Sequence, residues 1–161
     1  MDTFRPARSD FHCETARTNQ FEILATLVRA RYAERPSLEH LDTERLRFSL
    51  GELMRDPTIA RIWIAFDGRR PIGYAIMTLG CSLRSGGRHA VVDECYLVPD
   101  SASPENYERM LATVESAADG LRLRRVFVAV ADRDDDVAVA GARRGYVPDE
   151  RRLLTRRLAE S

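Results

Sequence analysis

A chain of 161 residues with 44% hydrophobic content is long enough for one domain with a substantial core. Its 25 basic and 25 acidic residues leave a formal net charge of +0, so no broad field attracts nucleic acid or an anionic membrane. Every basic residue is arginine, and three cysteines (Cys13, Cys81, Cys95) are an odd count without metal-type spacing, which excludes a secreted disulfide framework and points to a reducing cytoplasm.

In chain order, the first dozen residues hold no signal-peptide apolar run, and no later run is long enough to span a bilayer, so a soluble protein is expected. Phe11 to Thr15 predicts a short strand. Asn19 with Glu22 has capping-box spacing, followed by Phe21, Leu24, Leu27, Val28 and Tyr32 on one helical stripe that Pro36 ends. A second helix from about Thr43 to Arg55 places Leu46, Leu50, Leu53 and Met54 inward, and Pro57 closes it.

Two β-rich runs follow, Ile59 to Phe66 and Ile72 to Leu79, joined by Asp67-Gly68-Arg69-Arg70, which predicts an antiparallel hairpin. Ser85-Gly86-Gly87 then turns the chain into a third strand, Val91 to Val98, stopped by Pro99-Asp100. Ser103-Pro104-Glu105 opens a helix with Tyr107, Met110, Leu111, Val114 and Ala118 on its apolar face. Backbone N–H groups at such a helix start point beyond the strand end, where many α/β proteins hold a phosphate.

Gly120 leads to Arg125 to Val130, apolar enough for a buried strand parallel to the one before the helix. Asp134 to Arg144 predicts a weaker helix stopped by Gly145, and Leu153 to Leu158 a last edge strand able to pair with a second copy. The pattern predicts a mixed α/β domain with a mostly antiparallel sheet, flanking helices and a β-α-β crossover after the central strand.

This order, with Asp67-Gly68 before Ile72-Gly73-Tyr74-Ala75, then Glu94-Cys95-Tyr96-Leu97-Val98-Pro99 and a late Gly145-Tyr146, resembles the GCN5-related N-acetyltransferase superfamily over nearly the whole chain. The resemblance implies acetyl-CoA or another acyl-CoA as donor, its pantetheine paired with the backbone of Cys95, Tyr96, Leu97 and Val98. It also implies a pyrophosphate at Ser101, Ala102, Ser103 and Asn106, and an amine acceptor on a small molecule or protein.

The donor loop departs from the family pattern. Counted from Pro99, the family's Arg or Gln falls on Ala102 and its glycines on Ser103, Glu105 and Tyr107, so no glycine is present. Glu105 puts a carboxylate at the helix start. At about 4 Å and an effective dielectric of about 20, its repulsion of a phosphate would be roughly 4 kcal/mol. The family's Asn before the last helix and its Tyr acid fall on Asp134 and Gly141, leaving Tyr146 or Tyr96 as replacement acids.

Glu94 is the candidate base that takes the proton of an ammonium acceptor; the competing reading pairs Glu94 or Asp93 with an arginine on the sheet. Cys95 reads as a buried strand thiol, and His12, His40 and His89 share no ligand spacing with the cysteines, so no metal site is expected. The arginines between Arg122 and Arg157 read as a solvated face, neutralised by nearby acids, ahead of a site for a CoA phosphate. Three functions fit: an acyl-CoA-dependent N-acyltransferase, a non-catalytic domain for sensing or binding a protein partner, and an acyltransferase with a carrier-protein donor.

Overall fold

Five runs whose side chains alternate between two covered faces assemble into one sheet. The computed structural model of the chain describes residues 10–35, 42–156 and 158. Its strands are β1 (Phe11–Thr15), β2 (Ala60–Asp67), β3 (Arg70–Ser82), β4 (Gly87–Leu97) and β5 (Arg125–Val128), in the order β1-β2-β3-β4-β5. Neighbours from β1 to β4 are antiparallel, and β5 runs parallel to β4.

Gly68 takes the left-handed conformation (φ 58°) in the β2–β3 turn, which few other residues adopt without strain. Gly73 is fixed by space instead: a Cβ there would lie 2.1 Å from the Tyr96 carbonyl oxygen.

The helices are α1 (Phe21–Glu34), α2 (Thr43–Arg55), α3 (Pro104–Gly120) and α4 (Asp135–Arg143). The expected Asn19–Glu22 cap is replaced by a 3-10 turn, Thr18–Gln20, in which the Gln20 side chain accepts the Arg17 N–H at 2.9 Å. Pro36 lies outside the described residues. Asp42 caps α2 by accepting the Arg45 N–H at 2.7 Å, and Ser103 caps α3 through the Asn106 N–H.

Apolar residues at helical spacing place each pair of helices on its own face. Leu24, Val28, Leu46 and Leu50 of α1 and α2 pack on Ile62, Ile64, Tyr74 and Ile76. Met110, Leu111, Val114 and Val137 of α3 and α4 pack on Trp63, Ala75, Met77 and Val92 on the opposite face. Trp63 and Phe66 are core residues.

The C-terminal expectation fails among the described residues. Leu153 and Leu154 are 97% and 96% exposed and no strand forms from 151 to 156. Two adjacent leucines between arginine pairs point to opposite faces of any strand, so neither face is apolar enough to dock. β5 is therefore a half-buried edge strand, and pairing of Leu153 to Leu158 with a second copy has no strand to rest on. No helix of the described residues is long and apolar enough to cross a membrane.

Candidate functional site

The site begins where β4 and β5 part. Their pairing runs from His89 and Arg125 to Val92 and Val128, the Ala129 N–H still donates to the Val92 carbonyl at 3.0 Å, and β4 then continues to Leu97 beyond the end of β5. Against β3, Ile76 faces Glu94 and Met77 faces Val92, so Asp93 is the extra residue of a bulge on β4. The Val98 N–H donates back to Ile72 of β3. Backbone direction alternates along a strand, so Cys95 and Leu97 present N–H and C=O to the open edge, whereas Tyr96 and Val98 face β3.

That open edge is occupied from within. The Leu97 N–H donates to the Tyr107 hydroxyl oxygen at 3.1 Å. Tyr107 comes from the first turn of α3 and is 6% exposed in the core, where burial pushes its pKa up to about 12.

The loop before it also spends its donors locally. The Ser101 and Ala102 N–H groups both donate to the Val98 carbonyl, the Asn106 amide donates to the Ser101 carbonyl, and the Ser101 hydroxyl donates to Asp100. The Ser103 hydroxyl accepts the Asn106 N–H, and its carbonyl accepts the Tyr107 N–H. The Glu105 carboxyl is held below its ordinary range, first by its own backbone N–H and then by Arg143, whose Nη1 lies 3.0 Å away. Glu105 is thus an exposed, compensated charge, and the bulk of Tyr107 is the larger obstacle in the cleft.

Glu94 sits on the α1–α2 side of β4 with both oxygens engaged. Tyr32 donates to Oε1 at 2.9 Å and Tyr74 to Oε2 at 2.7 Å. Arg31 Nε lies 3.1 Å from Oε2 but off the hydrogen-bond direction, a charge contact between nearly buried groups. Burial first, then the Glu94 charge, raises the pKa of Tyr32 and Tyr74 and keeps both hydroxyls protonated.

Arg31 also reaches Asp134 at 3.7 Å, where Arg35 makes a second contact, and its guanidinium lies over the Tyr96 ring. Tyr96 donates to Glu34 at 2.5 Å. This network ties α1 to β4 and to the start of α4. It gives the sheet-pairing reading of Glu94, with the partner supplied by a helix; Asp93, by contrast, is exposed and pairs with no other described side chain.

No protein-family profile matches the sequence and no curated protein is similar to it in sequence. Solved structures do match. An integron cassette protein from the mobile metagenome of Cole Harbour Salt Marsh is 26% identical over 92% of this chain and 91% of its own, with a TM-score of 0.79. An aminoglycoside N-acetyltransferase in complex with CoA is 14% identical over 97% of this chain and 100% of its own, with a TM-score of 0.74. A ribosomal-protein-alanine N-acetyltransferase from Brucella melitensis is 16% identical over 91% and 98%, with a TM-score of 0.73. The chain has the GCN5-related N-acetyltransferase fold.

On this acetyltransferase fold, the two candidate catalytic residues do not meet. Tyr146 packs with the α3–α4 side of the core, whereas Glu94 contacts Tyr32 and Tyr74 on the α1–α2 side. Burial and then Glu115 raise the Tyr146 pKa. Tyr146 lines a surface cavity of about 710 Å³ beside β5, and the parting of β4 and β5 opens instead on a cavity of about 360 Å³ lined by Arg31, Tyr96, Leu97, Ala102, Tyr107 and Asp134. Tyr96, the other candidate acid, faces that second cavity.

Cys95 is buried, and burial pushes its thiol up to about 12, so it is no nucleophile. Three of the late arginines form surface pairs, partly with unforeseen partners: Arg143 with Glu105 and Glu108, Arg144 with Glu115, Arg151 with Asp149. Arg157 and His40 lie outside the described residues. Among the described residues no group of three or more His, Cys, Asp or Glu side chains is placed to hold a metal.

Arg31 and Tyr107 are the site residues that sequence reasoning missed. Tyr107 was legible as the third replaced glycine, but its helical spacing with Met110 and Leu111 also fits a plain core residue. Arg31 carried no such signal.

Proposed function

We propose that this chain is a ligand-recognition domain built on the acetyltransferase fold, with its acyl-CoA channel closed by its own side chains. The observation that carries the reading is the buried Tyr107 ring, whose hydroxyl takes the Leu97 N–H on the backbone edge where the family resemblance puts pantetheine. A donor entering there has to displace a core tyrosine and find new partners for loop groups that already satisfy one another. The paired Glu94 supports the same reading, because accepting a proton from an amine would neutralise the carboxylate and give up its charge contact with Arg31.

A second reading, N-acyl transfer to an amine from acyl-CoA or from a carrier protein, is favoured by one feature. β4 and β5 still part beyond Val92, and Cys95 presents its backbone to the gap, as a thioester carbonyl would require.

Calorimetric titration of the full chain with acetyl-CoA and with CoA separates the closed channel from transfer that uses acyl-CoA. The recognition reading expects no heat at millimolar ligand, and measurable binding once Tyr107→Gly opens the edge. Micromolar binding by the unaltered chain overturns it in favour of transfer, and an acceptor screen then follows.

A further inference from the structure

We propose that the free edge of β5 takes up an extended acidic segment of a partner protein as an added strand. This lies at a different place in the fold from the donor edge of β4, and it stands or falls whether or not the acyl-CoA channel is closed.

β5 ends the sheet, with β4 on one side and no strand on the other. The Ala129 N–H donates to Val92, and backbone groups alternate in direction along a strand. Phe127 therefore also faces β4, and Val126 and Val128 turn their N–H and C=O groups outward. No hydrogen bond from a described residue reaches those outward groups. Val126 and Phe127 instead line the cavity of about 710 Å³, opposite the segment from Gly145 to Glu150. That volume lies within the ordinary range of ligand pockets, about 300–1,000 Å³. A row of unpaired main-chain groups beside it is a template for strand addition.

Charge selects the strand. Glu115 is held by Arg144, and Asp149 by Arg84 and Arg151. Glu150 is the remaining carboxylate of the cavity wall. Against it stand Arg125 on the wall and Arg88 and Arg124 beside it at the start of β5, none of which pairs with a described carboxylate. Guanidinium groups bind carboxylates in bidentate pairs, so an acidic strand is the complement of this edge. The chain's own tail, 151–157, reads RRLLTRR and carries the wrong charge to fill it, in the same molecule or in a second copy. The exposed Val147 and Pro148 offer apolar surface to alternate residues of the guest.

The test uses the full chain without CoA, so its failure is distinct from failure of the recognition reading. The probe is a labelled hexapeptide alternating valine and glutamate, followed by fluorescence anisotropy and amide hydrogen exchange. Lysine in place of glutamate is the charge control, and the fully N-methylated peptide is the backbone control. Saturable binding by the glutamate peptide alone is expected, with the Val126 and Val128 amides gaining protection. Arg125→Glu should weaken it at least about tenfold; Arg125 is exposed and unpaired, so this variant keeps the fold. The proposal is overturned by no saturation at millimolar peptide, by equal binding of either control peptide, by binding that leaves those two amides unchanged, or by indifference to Arg125→Glu. Protection of the two amides that is present without peptide and is lost on deleting residues 151–161 would make the tail the occupant and also overturn it.

Discussion

The Tyr107 hydroxyl oxygen accepts the Leu97 N–H at 3.1 Å across the unpaired edge of β4, so a side chain of α3 completes a backbone position that no neighbouring strand reaches. Leu97 is 2% exposed, and water is a poor substitute partner there.

Tyr107→Phe keeps the ring and strands that N–H. It is expected to lower stability by about 1–3 kcal/mol in urea unfolding. Tyr107→Ala adds a cavity and is expected to cost about 3–5 kcal/mol. Unchanged stability of Tyr107→Phe would mean that the hydroxyl contributes nothing.

Arg31 is the hub between Glu94 and Asp134. Arg31→Met leaves two nearly buried carboxylates short of a cation, for a loss of about 3–5 kcal/mol. Adding Glu94→Gln should recover part of that loss, because the two groups are coupled; additive losses in a double-mutant cycle would show that Arg31 and Glu94 do not interact.

Gly73→Ala tests the close approach of β3 to β4. The new methyl would meet the Tyr96 carbonyl at 2.1 Å, a backbone obstacle that cannot rotate away. The strands have to separate just where Leu97 is held, so this variant should lose more than about 3 kcal/mol, the upper end for ordinary substitutions. Wild-type stability in chemical denaturation would contradict the register.

Alkaline behaviour follows from the tyrosines. All five (Tyr32, Tyr74, Tyr96, Tyr107 and Tyr146) have pKa values raised above 10, with burial the largest cause in each. A raised folded pKa means that the unfolded chain releases these protons first as pH climbs. Their contribution is intact below pH 10 and is lost as pH rises through the folded values, about 12 for Tyr107. Tyrosinate absorbance should therefore appear together with unfolding. A tyrosine that ionises near pH 10 in the folded protein would contradict this packing.

The elements were largely legible because their periodicities are strong. β1 at Phe11–Thr15 and α2 at Thr43–Arg55 fall where the pattern puts them, and the Asp67–Arg70 turn needs the positive φ that Gly68 supplies. The site was legible only in outline. Nothing in the run Val91 to Leu97 marks Asp93 as a bulge, because a bulge is a property of two strands in register. Arg31 looks like a solvent-facing helix residue until Asp134, far along the chain, folds beside it. The tail was misread because its leucines suggest a strand while their adjacency denies it a face.

The most direct measurement is the Leu97 amide signal in a nitrogen-proton correlation spectrum, followed by hydrogen exchange with and without saturating acetyl-CoA. The account predicts a strongly protected Leu97 amide whose shift and exchange rate acetyl-CoA leaves unchanged, because Tyr107 already holds it. A Leu97 signal that moves on adding acetyl-CoA, together with that of Cys95, would show that the donor displaces Tyr107 and would contradict a closed channel.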